Sequence, residues 1–281
     1  MKQSHFVLII LWSALILIVY FLLCHFQLQI NPFHFTGIII LAFCCELVDS
    51  GLGMGYGTTL TPILLTIGWE PLQIVPTVLV SEFLSGITAA CFHNRAGNVS
   101  FSTKSPHFKV AILLSAGSIV GVYLGVTLAL ETSAFYLKLI IGIIITLSGV
   151  SILRFLHHKF QYRTWKMLVL SSVASFNKAL SGGGYGPIVT SGQIFGGVES
   201  KPAVAITSFA EAFTCLAGVT LFMMKGQEIT ATLLIPICTG ALLSVPLSVN
   251  FVRIMPEIHL KRIIAVFTIL LGLYTLAKVL L

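Results

Sequence analysis

Charged side chains are what this sequence has least of: 16 lysines and arginines and 9 acidic residues in 281. They make up 9% of the chain, where a soluble domain carries about a quarter. That deficit excludes an ordinary soluble enzyme or binding domain. The net charge of +7 is no nucleic-acid footprint either, because the basic residues are spread over short segments between apolar runs. The six cysteines fall in apolar sequence with neither metal-ligand spacing nor a pairing pattern, so they read as small buried hydrophobes and argue against a zinc site or a disulfide framework. No Gly-Lys-Ser/Thr follows the glycine clusters and no βαβ pattern surrounds them, which excludes a P-loop and a dinucleotide fold. Neither a Ser-His-Asp nor a His-x-x-Glu-His pattern is present. The expectation is a protein that is not an enzyme and uses no cofactor or metal. His93, His107, His157 and His158 lie in basic loops and read as solvated.

What is present is apolar sequence, 57% of residues, with a mean hydropathy of +1.01. Apolar runs cover about 6–23, 35–67, 72–92, 108–130, 134–156, 165–195, 203–224, 230–252 and 260–280. A span needs about 20 such residues, so the chain reads as a polytopic, all-α membrane protein whose constant partner is the lipid bilayer. The first run has no small-x-small cleavage site after it and reads as a retained helix rather than a signal peptide.

One motif occurs twice. Gly51-Leu52-Gly53-Met54-Gly55-Tyr56-Gly57 is matched by Ser181-Gly182-Gly183-Gly184-Tyr185-Gly186, with the Gly-Tyr-Gly triplets 129 positions apart. At the same offset Glu82 matches Glu211 and Asp49 matches Lys178. The runs on either side correspond as well. The chain therefore divides into an extra N-terminal helix (1–30), a first repeat (31–157) and a second (158–281). Each glycine-bearing run is about 30 residues, too long for one span and too short for two. It is either one broken, tilted crossing or a re-entrant pair of half-helices. A single crossing puts nine Lys/Arg on the cytoplasmic side and six outside, whereas re-entrance puts twelve inside and three outside. The positive-inside rule favours the second. The expected fold is two inverted repeats, each a glycine-broken re-entrant pair plus three spanning helices, with the N-terminus cytoplasmic in the plasma or inner membrane.

In such transporters the site lies where broken helices of the two halves meet near mid-membrane. A half-helix starting after Gly57 or Gly186 points unbonded N–H groups and a partial positive charge at the break, which suits an anion. Candidate substrate-binding residues are Gly53, Gly55, Tyr56, Gly57 and Thr58 in the first repeat and Lys178, Gly183, Gly184, Tyr185, Gly186 and Pro187 in the second. Lys178 is either a substrate counter-charge or the partner of Asp49, and the pair is preferred. Glu82 and Glu211, with Asp49 and Glu46, are coupling or structural carboxylates, since intramembrane carboxyls are costly and usually functional. A proton or sodium ion is the candidate coupling partner. The competing reading of the glycines is close helix packing alone. Gly-Tyr-Gly also occurs in potassium-channel filters, but the Thr-Val lead and four-fold arrangement are missing.

Asp49 to Pro62, Ser81-Glu82, Arg95-Ala96-Gly97-Asn98-Val99, Phe176 to Pro187, and Thr207-Ser208 with Glu211 resemble the sulfite exporter TauE/SafE family, also called toluene-sulfonate uptake permeases. The resemblance covers about residues 35–281. It implies a transporter of sulfite, a sulfonate or a related small oxyanion; with the inverted repeats, the expectation is a secondary transporter working by alternating access, with a second copy of the chain as a further candidate partner. A channel or a non-transporting membrane scaffold is the alternative.

Overall fold

The computed structural model describes residues 32–154, 164–195, 198–251 and 257–280, and the helix expected at 6–23 lies outside them. The described residues are all helical or loop: α1 (Pro32–Leu52), α2 (Tyr56–Ile67), α3 (Pro71–Arg95), α4 (Pro106–Glu131), α5 (Ala134–Arg154), α6 (Thr164–Ser181), α7 (Tyr185–Phe195), α8 (Ser200–Met224), α9 (Ala231–Phe251) and α10 (Glu257–Leu280). Among these, α1, α3, α4, α5, α8 and α9 contain stretches long and apolar enough to cross a membrane. By contrast α2 and α7, at 12 and 11 residues, reach only about 18 and 17 Å at 1.5 Å per residue, short of a roughly 30 Å hydrocarbon core.

Small residues decide which helices touch. Gly117, Gly121 and Gly125 recur every fourth position along α4, so α6 packs into the groove they leave: Leu168 meets Gly117, Ser172 meets Gly121 and Phe176 meets Gly125. Ser172 and Ser175 donate back to the Gly117 and Ser118 carbonyls at 2.6 and 2.9 Å. The two helices run parallel. Equivalent contacts join α1 to α9, where Gly240 takes the Ile39–Phe43 turn and Ser248 donates to the Leu47 carbonyl at 2.6 Å, again in parallel. Against these, α3 and α8 run antiparallel, with Gly86 facing Ser208 and Ala212 and Gly218 facing Leu79. So do α5 and α10, through Gly142 with Leu276 and Gly149 with Ile269. The main packing pairs keep their identity when α1–α5 are exchanged with α6–α10.

The bundle's two ends are distinguishable. At one, Lys278 Nζ donates to the Thr66 carbonyl (2.7 Å), Lys138 pairs with Glu70 (3.0 Å) and Gln227 donates to the Leu72 carbonyl (3.2 Å). That end collects the finish of α2, α8 and α10 and the start of α3 and α5. The loop 96–105 lies at the far end of α3. Its Arg95–Val99 segment is a helix stop: Gly97 takes φ 73°, and Asn98 returns its N–H to the His93 carbonyl (3.0 Å) and its amide to His93 Nδ1 (2.9 Å). His93 is consequently buried, at 4% exposure, with Nε2 on the Ser50 carbonyl (2.9 Å), which corrects the expectation of a solvated ring. Cys45 and Cys215 are buried as expected, but Cys44 and Cys91 are exposed on the helical surface.

Candidate functional site

Both glycine motifs break the helix by the same geometry. α1 stops at Leu52 and α6 at Ser181, and each is followed by a glycine in the left-handed region, Gly53 (φ 68°) and Gly182 (φ 75°). Their N–H groups return to the Asp49 and Lys178 carbonyls at 2.6 and 2.8 Å. Two residues later Gly55 (φ 128°) and Gly184 (φ 86°) turn the chain into the next helix. These helices begin at Tyr56 and Tyr185, two residues before the starts expected after Gly57 and Gly186. Pro187 therefore sits in the first turn of α7, where its missing N–H costs nothing. Thr58 donates its hydroxyl to the Gly55 carbonyl at 3.2 Å.

The two breaks are in contact. A Cβ added to Gly57 would overlap the Gly182 carbonyl and Gly183 Cα; one on Gly183 would overlap Gly57 and Thr58 N, and one on Gly186 the Gly53 carbonyl and Met54 Cα. Thr190 of α7 also donates to the Gly53 carbonyl at 2.8 Å. Residues 53–57 and 181–187 are buried throughout. Close packing, the competing reading of the glycines, thus describes how the cradle residues meet: in this conformation each motif is the other's neighbour.

Beside that contact lies a cluster of ionisable groups. Lys178, 1% exposed, extends from the end of α6 to Glu82 Oε2 of α3 and to Glu211 Oε1 of α8, the latter at 2.8 Å. The pair expected between Lys178 and Asp49 is replaced by this three-membered bridge, in which one ammonium serves the two carboxylates that the 129-residue offset relates. Asp49 has different work: its Oδ1 accepts the Tyr56 N–H at 3.1 Å, capping α2. Its counterpart Lys178 has no acceptor for α7, so the positional symmetry of the motifs ends at these two residues. Glu46, 2% exposed, completes the group one turn earlier on α1, with Ser50 donating to its Oε1. Glu82 Oε1 and Glu46 Oε2 have no hydrogen-bond partner.

The tyrosines reach in opposite directions. Tyr56 OH shares a 2.8 Å bond with Ser81, while Tyr185 OH sits 3.4 and 3.5 Å from Ser118 and Ser171. Ser118 of the first half and Ser171, Thr190, Gln193 and Thr214 of the second, with Thr207, form polar links, and of these only Thr207 stands in a sequence motif. The repeat offset marks two of them: Thr190 lies 129 positions after Thr61, and Thr214 lies 129 after Ser85. Among the described residues no group of three or more His, Cys, Asp and Glu is arranged to hold a metal ion.

Comparison with known proteins follows the same residues. The family profile described as Sulfite exporter TauE/SafE matches residues 38–275. The chain is 26% identical over 257 residues to Probable membrane transporter protein YtnM of Bacillus subtilis (strain 168), covering 85% of this chain and 82% of that one. It is 26% identical over 189 residues to Probable membrane transporter protein YjnA of the same organism, covering 64% and 65%. No solved structure matches the chain significantly.

Proposed function

The chain belongs to the sulfite exporter TauE/SafE family and is a multi-pass membrane transporter, and from that premise we propose that it is a secondary carrier of a small oxyanion, sulfite or an organosulfonate, with its site where the two halves meet. The observation that carries this reading is Lys178: a fully buried ammonium beside two touching helix breaks, held by one carboxylate from each half. Ionisable groups buried within a membrane bundle are costly and mark functional sites. An oxyanion that displaced Glu82 or Glu211 would find the ammonium, the Tyr185 and Gly186 N–H groups and two glycine-lined backbones. The halves are then inverted repeats that rock about this contact.

Two sets of observations support inversion and re-entrance. Corresponding helices of the two halves (α3 with α8, α5 with α10) run antiparallel. α1 runs alongside α9, away from the end that α8 finishes at, while α2 returns to that end at Thr66. On this reading α1 starts and α2 finishes on one membrane face. The Arg95–Lys109 loop lies on the other, basic face, which is cytoplasmic by the positive-inside rule. Pro32→Cys and Trp69→Cys, each in a cysteine-free background, are expected to react with an impermeant maleimide from the same side; opposite sides would establish a single crossing instead.

Substrate is tested with purified protein in liposomes offered sulfite, sulfate, thiosulfate, taurine and sulfoacetate. Saturable uptake or exchange of at least one is expected at carrier rates. No uptake and no binding of any of them rejects the oxyanion, and currents far above carrier turnover would indicate a channel.

A further inference from the structure

Four buried carboxyls are clustered with a single ammonium among them: Glu46 and Asp49 on α1, Glu82 on α3 and Glu211 on α8, with Lys178. Three of the four are accounted for. Glu82 and Glu211 share the lysine, and Asp49 takes the Tyr56 N–H. Glu46 has neither a cation nor a backbone donor. One oxygen accepts from Ser50; the other is buried and unpartnered. The acidic groups around it, Asp49 on its own helix and Glu82 of α3, make matters worse for a negative charge, Cys45 and Tyr56 nearby bring no positive one, and the Lys178 charge is already spent on two other carboxylates. From α3, Ser85 offers a hydroxyl that, like that of Ser50, eases a negative charge, and the His93 ring holds the carbonyl of Ser50.

An uncompensated carboxylate in an apolar interior is expensive, and a carboxyl there neutralises itself instead. Resting on the transport reading above, we propose that Glu46 carries an exchangeable proton that is taken up together with the anion. The coupling follows from competition. An oxyanion entering beside Lys178 adds negative charge next to Asp49 and Glu82, the carboxylates that adjoin Glu46, so neutralising Glu46 favours the anion, and by linkage the anion favours the proton. Proton and anion then move in the same direction.

The test uses methanesulfonate, whose own charge does not change near neutral pH, and measures its affinity for the purified protein against pH. Wild-type affinity is expected to rise as pH falls, by up to about tenfold per pH unit for one linked proton. Glu46→Gln, which imitates the protonated carboxyl, is expected to bind well at all pH values with that slope gone. Ser50→Ala, which keeps the carboxyl, keeps the slope and displaces its midpoint. A slope unchanged in Glu46→Gln, or an affinity set by sodium rather than pH, overturns the proposal. Infrared spectra of the protein without any anion supply an independent readout. As pH is lowered through the range in which affinity changes, wild type should gain a protonated-carboxyl stretch that Glu46→Gln lacks, and an equal gain in both overturns the assignment. If no sulfonate binds at all, the oxyanion reading falls, while the infrared comparison still decides the protonation of Glu46.

Discussion

Lys178→Met is expected to abolish oxyanion uptake and to destabilise the folded protein by about 3–5 kcal/mol, the range seen when one partner of a buried ion pair is removed. The physical reason is the arrangement around it. Glu82 and Glu211 approach the ammonium from different halves of the molecule, and without it two carboxylates are left facing each other with a third, Asp49, nearby. Glu211 and Glu82 are 5% and 3% exposed, so water cannot take over the lysine's role. Lowered thermal stability in detergent and missing uptake in liposomes are the paired measurements. Loss of uptake alone could be loss of fold, so a triple variant separates them. Lys178→Met with Glu82→Gln and Glu211→Gln replaces the ionic bridge by neutral groups of similar volume, which is often tolerated. The triple variant is expected to regain most of the stability and none of the anion transport. Recovered transport would show that Lys178 holds the halves together and does nothing for the anion.

How far this site could be read from the sequence depends on the length scale. The 129-residue offset located both breaks, both glutamates and the Asp49/Lys178 positions, because a repeat carries its own register. The helices were legible for the same reason that apolar runs are: a membrane span has a fixed minimum length. The partner of Lys178 was not legible. Position in a repeat says which residues are equivalent, and equivalence suggested Asp49, but the lysine side chain is long enough to pass its counterpart and reach α3 and α8. His93 was misread because its neighbours in sequence are basic and polar. Its ring turns inward, since the helix stop at Gly97 brings Asn98 back over it and Ser50 offers a carbonyl on the other side. The contact between the two glycine motifs was also hidden. Each motif alone explains a break, and only their mutual packing explains why Gly57 and Gly183, which have no positive φ, must be glycines at all.

That packing gives the second large effect. Gly57→Val is expected to cost at least about 3 kcal/mol, in the range of severe overpacking, and to reduce transport more than tenfold. A Cβ at Gly57 meets the carbonyl of Gly182 and the Cα of Gly183, which are backbone atoms with no rotamer to yield. The only relief is to move α2 away from the α6–α7 break, which also disturbs the Asp49 cap on Tyr56 and the Tyr56 bond to Ser81. Gly37→Ala is the matched control. It too lies in a helix, but nothing stands within 4 Å of the added carbon, so higher helix propensity should raise stability by up to about 1 kcal/mol and leave uptake intact. Thermal unfolding and initial uptake rates of the two variants, side by side, measure the contact directly. Equal behaviour would mean that the breaks stand apart in the working protein. A loss confined to Gly57→Val shows that the backbone-to-backbone contact between the two breaks is required for fold and uptake alike.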